Sequence, residues 1–97
     1  MDIVFSKGAR EEILQAYEYY EEQVSGLGED FVDAIARAAG FVKRFPEVSR
    51  LIAYPYRRYL MPRFPYGLIY LVGEERITVL AVAHLMRKPN YWLGRDE

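Results

Sequence analysis

At Pro46 the spacing of apolar residues changes from helical to strand-like, and that switch limits what the chain can fold into more than any other feature. Upstream, from Lys7 to about Val24, Ala9, Ile13, Ala16, Tyr17, Tyr20 and Val24 recur at three- and four-residue spacing. Glu11, Glu12, Glu18, Glu21 and Glu22 take the other positions, as in an amphipathic helix with a solvated acidic row. Ser6 is a good N-cap for this helix, and the β-branched, apolar run Asp2 to Phe5 before it reads as a strand. Ser25-Gly26-Leu27-Gly28 supplies a C-cap and turn, and Asp30 stands just before the next periodic residue. A second helix is expected from about Glu29 to Phe45, with Phe31, Ile35, Ala38, Val42 and Phe45 on one stripe, and Pro46 stops it. So short a loop between the two predicts an antiparallel helical hairpin.

Downstream, Arg58 to Pro62, Tyr66 to Val72 and Arg76 to His84 read as strands, the last two joined by a tight turn at Gly73-Glu74-Glu75. In the last strand Ile77, Val79, Ala81 and Ala83 are expected on one face, with Thr78, Leu80, Val82 and His84 on the other. Both faces are largely apolar, which marks a central strand. The order is therefore β-α-α-β-β-β: an α+β domain spanning residues 1–97, its helical hairpin packed on one face of a small, largely antiparallel sheet.

Composition removes many chemistries. With no cysteine there is no disulfide, thiolate zinc site or cysteine nucleophile, and a reducing compartment is expected. One histidine and no cysteine leave only carboxylates for a metal, and these cluster on a helix face, so neither a metal nor a cofactor is expected. Gly26-x-Gly28 is too short for a phosphate-binding loop, and Ser6, Ser25 and Ser49 fall at a cap, a turn and a loop. Glu18, Glu21 and Glu22 read as a solvated helix face rather than paired acid and base. Apolar runs such as Leu68 to Val72 are too short to cross a bilayer, and the first residues lack the features of a signal peptide. A cytoplasmic location without membrane association is the expectation.

The formal net charge of -1 hides an asymmetry. Residues 1–30 hold eight acidic side chains against two basic ones, a net -6, while residues 31–97 hold eleven basic against six acidic, a net +5. A charge-separated molecule can meet an acidic partner on one face despite a neutral total. The segment Arg50 to Arg63 interleaves Arg50, Arg57, Arg58 and Arg63 with Tyr54, Tyr56 and Tyr59. That mixture suits nucleic acid or a protein interface, and it also fits a strand with a solvated outer row.

Several short strings, in order along nearly the whole chain, carry a resemblance: Glu18-Tyr19-Tyr20, Gly26-Leu27-Gly28 leading into Phe31, Phe64-Pro65-Tyr66, and Ala81-Val82-Ala83-His84 followed by Arg87, Pro89, Tyr91-Trp92 and Arg95. Together they resemble the RelE/ParE superfamily of toxins from type II toxin-antitoxin modules, closest to its ParE-like plasmid-stabilisation branch. The resemblance implies the same β-α-α-β-β-β fold and a growth-inhibiting toxin neutralised by binding a cognate antitoxin. Members of the RelE branch cleave mRNA on the ribosome with basic residues and a late tyrosine; those of the ParE branch poison DNA gyrase and are not nucleases. Arg87 matches the arginine that nuclease members place after the last strand, and Tyr91 lies near their late tyrosine. Where such members often carry an arginine after the tyrosine matched by Tyr66, this chain has Gly67, which favours the gyrase reading; Arg57, Arg58 or Arg63 on the neighbouring strand would be the replacement charge.

RNA cleavage by its own 2′-hydroxyl needs a base, an acid and cations for the phosphorane charge. His84 is the near-neutral candidate for proton transfer, Arg87, Lys88 and Arg95 the candidates to hold phosphate, and Tyr91 or Trp92 the candidates to stack a base. Each has a plainer role open to it: a hydrogen-bonded strand-end histidine, an arginine paired with Asp96 or Glu97, and aromatic rings packed on the sheet edge. Three functions follow from the sequence: a gyrase-inhibiting toxin, an mRNA endonuclease, and a non-toxic module kept for antitoxin binding.

Overall fold

Ser6 turns the chain from its first strand into its first helix. Its hydroxyl accepts the Ala9 N–H at 3.0 Å and satisfies one of the helix's unpaired amide donors. The computed structural model describes residues 1–95, and in it β1 (Asp2–Phe5), α1 (Lys7–Gln23), α2 (Leu27–Arg44), β2 (Arg50–Ala53), β3 (Tyr56–Leu60), β4 (Tyr66–Val72) and β5 (Arg76–His84) follow one another. The five strands form one sheet in the order β1-β5-β4-β3-β2. β1 runs parallel to β5, and every other pairing is antiparallel.

The α+β architecture expected from the sequence is the one observed, with the helical hairpin on one face and β5 inside the sheet. The differences are local. β2 is an additional strand, four residues long at the sheet edge with Arg50 and Leu51 exposed, too short and too open to show a period. β3 lies two residues earlier than expected and ends at Leu60, before Pro62. α2 begins at Leu27 rather than Glu29, because the Glu21 carboxylate accepts the N–H groups of Gly26 and Gly28, each at 2.9 Å, and caps the helix from the end of α1. Val24 and Phe45 leave the apolar stripes: each caps a helix C-terminus and is exposed.

The faces of β5 also differ from strict alternation. Ile69 pairs with Ala81 but Tyr70 pairs with Val79, so Leu80 is an extra residue in the ladder, a bulge. It shifts the alternation by one, so Ile77, Val79 and Val82 meet the helices while Ala81 and Ala83 face away. The main core lies between helices and sheet: Ala9 and Ala16 of α1 and Phe31, Ile35, Ala38 and Val42 of α2 against Leu68, Tyr70, Ile77, Val79 and Val82. The Tyr70 hydroxyl, deep in it, donates to the Pro46 carbonyl at 2.7 Å, which removes the penalty of an unpaired buried polar group. A smaller core on the opposite face joins Ile69 and Ala81 to Trp92. Among the described residues no helix is long and apolar enough to cross a membrane.

Candidate functional site

β5 is longer than its outer neighbour. β1 stops pairing at Val79, so from Leu80 onward the outer edge of β5 has no strand beside it among the described residues. Side chains take the place of the missing strand. The Leu80 carbonyl accepts the Ser6 hydroxyl at 2.9 Å and an Arg95 N–H at 2.9 Å. The Val82 N–H donates to Glu12 Oε1 at 2.9 Å. Glu12 thus reaches from α1 to the edge of the sheet, and its side chain is only 10% exposed.

The chain beyond β5 returns over this edge in a series of tight turns. Arg87 N–H donates to the His84 carbonyl and Leu93 N–H to that of Asn90, with Asn90 at a positive φ of 63°. These turns bring Tyr91 and Arg95 onto Glu12. The Tyr91 hydroxyl donates to Oε2 at 2.7 Å, and Arg95 donates to both oxygens at 3.1 and 3.2 Å in the forked geometry that suits a carboxylate. Arg87 stands further off, 3.9 Å from Oε2, with its guanidinium 3.7 Å from the centre of the Tyr91 ring. Burial opposes the charge of Arg95, but its bonds to Glu12 outweigh that and hold its pKa above the usual value. The sequence offered Asp96 and Glu97 as partners for the arginines; both lie outside the described residues, and Glu12 pairs with Arg95 and Arg87.

On the outer face of the sheet, next to this cluster, opens a groove of about 340 Å³. Ile52, Ile69, Ala83 and Trp92 are among its apolar walls; Arg58, His84, Arg87 and Lys88 are its basic ones, and among the described residues no acidic one lines it. His84 and Arg87 also border a second pocket of about 150 Å³ between α1 and β5, beside Glu12 and Tyr66. His84 Nδ1 accepts the Met86 N–H at 3.0 Å, which leaves the ring proton of the neutral form on Nε2, and the ring meets Tyr66 edge-on.

Of the site residues expected from the sequence, His84, Arg87, Lys88, Tyr91 and Arg58 therefore come together. Arg58 has a further bearing on Gly67: a Cβ there would stand 3.0 Å from Arg58 Cγ, so the arginine stem occupies the space a larger residue would need. Arg57 points to the other face, donating to the carbonyls of Glu47 and Ser49 at 3.0 and 2.8 Å. Arg63 pairs with Asp30 at 3.3 Å and lies over the Phe64 ring. Trp92 offers no free face for stacking: it is 3% exposed and packs edge-on against Tyr56.

A family model described as "ParE toxin of type II toxin-antitoxin system, parDE" matches residues 3–89. The chain belongs to the ParE toxin family. Toxin ParE2 of Mycobacterium tuberculosis (strain CDC 1551 / Oshkosh) is 31% identical over 90 residues, covering 86% of this chain and 80% of that protein. Toxin ParE2 of strain ATCC 25618 / H37Rv matches to the same extent. A solved structure of the chromosomal ParDE TA system from P. aeruginosa, 18% identical, has the same fold, with a TM-score of 0.67 over 87% of this chain and 95% of that one.

In this ParE-family chain the family match takes in Glu12, Arg58, His84, Arg87 and Lys88, and ends before Tyr91, Trp92 and Arg95. Sequence reasoning missed Glu12, filing it with the solvated acidic row. A signal was present: position 12 lies between Ala9 and Ala16, both buried, at helical spacing from each. Three partly buried tyrosines give this ParE-family chain an alkaline limit. Burial raises the phenols of Tyr20, Tyr66 and Tyr91 above the ordinary range, Tyr66 to about 12, and the bond to Glu12 raises Tyr91 further. An unfolded tyrosine titrates near pH 10, so this stabilisation is complete below about pH 10 and is lost as pH climbs through the folded values. The thermal midpoint is expected to stay level to about pH 9.5 and fall steeply by about pH 12, less steeply in Tyr66→Phe; a level profile to pH 12 contradicts this reading.

Proposed function

We propose that this protein is the toxin of a type II module, held inactive by a cognate antitoxin in the cytoplasm, and that it arrests growth by inhibiting DNA gyrase. Membership of the ParE family supports the toxin reading. The observation that favours inhibition over RNA cleavage is the use of Tyr91 and Arg95 inside the fold: both are hydrogen-bonded to Glu12, so neither is free for a phosphate or a leaving oxygen. Gly67, where nuclease members often carry an arginine, points the same way. The groove favours an antitoxin segment of matching chemistry, apolar residues for Ile69 and Ala83 and carboxylates for Arg58, Arg87 and Lys88.

The test is a supercoiling assay with purified protein and gyrase. Supercoiling is expected to be lost at stoichiometric amounts and restored by the antitoxin. Full supercoiling at excess toxin would remove gyrase as the target. The convergence of His84, Arg87, Lys88 and Arg58 on one groove supports a second reading, an mRNA endonuclease. Primer extension after induction decides between the two: new mRNA ends that vanish in Arg87→Ala establish the nuclease. Normal colony counts on induction of the lone gene would leave a non-toxic antitoxin-binding module.

A further inference from the structure

Among the described residues Glu12 accepts four hydrogen bonds, and none of the donors belongs to its own helix: Val82 N–H comes from β5, and the Tyr91 hydroxyl and two Arg95 N–H groups from the returning chain. A carboxylate serving only α1 would bond to the helix or to water. Arg87 is treated differently from Arg95. It lies on the Tyr91 ring at 3.7 Å and feels Glu12 at 3.9 Å, beyond hydrogen-bond distance, and its side chain is 50% exposed. Arg95 neutralises the carboxylate, so the charge of Arg87 is left over for the groove that it lines. We infer that Glu12 is the positioning residue of this surface: its carboxylate fixes the course of residues 85–95 and, through Tyr91, aims the Arg87 guanidinium at the bound target.

A second feature agrees with this. In the first turn of α1, a Cβ on Gly8 would stand 2.8 Å from Arg95 Cζ and 2.9 Å from its Nη1. The Arg95 guanidinium, held by Glu12 and the Leu80 carbonyl, thus occupies the space that any side chain at position 8 would take. Position 8 is kept bare for the same arginine that holds the carboxylate.

For its functional part the inference rests on the proposed inhibition of gyrase, to which it adds the Arg87 surface as the inhibiting one, and its geometric part can be tested separately. Glu12→Gln keeps size and removes charge, while Glu11→Gln on the neighbouring position serves as the control. By NMR, with the Tyr91 Cζ and Arg87 Nε–H resonances assigned, Glu12→Gln is expected to bring the Tyr91 titration back towards the ordinary tyrosine value and to move the Arg87 signal. In the supercoiling assay it should raise the inhibiting concentration at least tenfold, with Glu11→Gln unchanged in all three measurements. If Glu12→Gln does not fold, Tyr91→Phe, which removes one hydroxyl, and Gly8→Ala, which displaces Arg95, are measured in its place, each expected to move the Arg87 signal and weaken inhibition several-fold. An unmoved Arg87 signal overturns the inference, and so does wild-type inhibition with a moved one. If the wild-type protein spares gyrase, the functional reading fails and the two resonances alone decide whether Glu12 positions Arg87.

Discussion

Phe31→Ala is expected to destabilise the fold by about 3–5 kcal/mol, the range for truncating a fully buried aromatic ring. Phe31 is 0% exposed and its ring centre lies 5.0 to 5.4 Å from those of Tyr66, Phe64 and Tyr20, mostly in tilted or edge-on contact. Those three rings come from β4, the β3–β4 loop and α1, so one side chain of α2 joins three parts of the molecule. The loss combines transfer free energy, the cavity left behind and the ring-ring contacts. A domain this small has roughly 5–15 kcal/mol to lose, so the variant should stand near the edge of folding. Urea unfolding checks it: at a slope near 2 kcal/mol/M the midpoint should fall by roughly 2 M. A fall below about 0.5 M would mean that the neighbouring rings collapse into the space.

Gly28→Ala should come next, at about 2–3 kcal/mol, through overcrowding rather than a cavity. In most helices this exchange stabilises, because alanine has the better helix propensity by about 1 kcal/mol. Here the Cβ would stand 2.6 Å from the Tyr17 carbonyl oxygen, 2.8 Å from the Tyr17 ring and 2.9 Å from Glu21 Oε1. The carbonyl belongs to the backbone of α1 and cannot swing aside, so the helices must separate and the Glu21 cap on Gly26 and Gly28 must stretch. Thermal unfolding of Gly28→Ala beside Gly40→Ala makes the contrast, since a Cβ on Gly40 meets nothing within 4 Å. Gly28→Ala should melt well below wild type and Gly40→Ala at or above it; equal midpoints would show that the hairpin has slack.

The long elements were legible because each buries one face. Phe31, Ile35, Ala38 and Val42 could only be a helix stripe, and Tyr66 to Val72 with Arg76 to His84 could only be paired strands. β2 was hidden because an exposed edge strand has no reason to alternate. The bulge at Leu80 was hidden because both registers of Thr78 to His84 place apolar residues on both faces. At the site, His84, Arg87, Lys88 and Tyr91 stood out by their chemistry and by lying close together in sequence. Telling Arg58 from Arg57 needed the sheet, since neighbours on a strand face opposite sides. For Glu12 the spacing from Ala9 and Ala16 marks a position turned toward the sheet, but its role was hidden because its partners lie 70 to 83 residues away.

The parallel pairing of β1 with β5 has a consequence for synthesis. The Ser6 hydroxyl bonds a carbonyl 74 residues further on, so the first strand of the chain finds its neighbour only when the last one has been made. At about 5–20 residues per second, β1 waits roughly 4–15 s beside a nascent helical hairpin that has no sheet to cover. Contacts this distant in sequence also close slowly once both ends are present. The edge contacts of Glu12 with Val82, Tyr91 and Arg95 belong to the same late stage. The surface around Arg87 therefore takes shape only after β5 and residues 85–95 have been made.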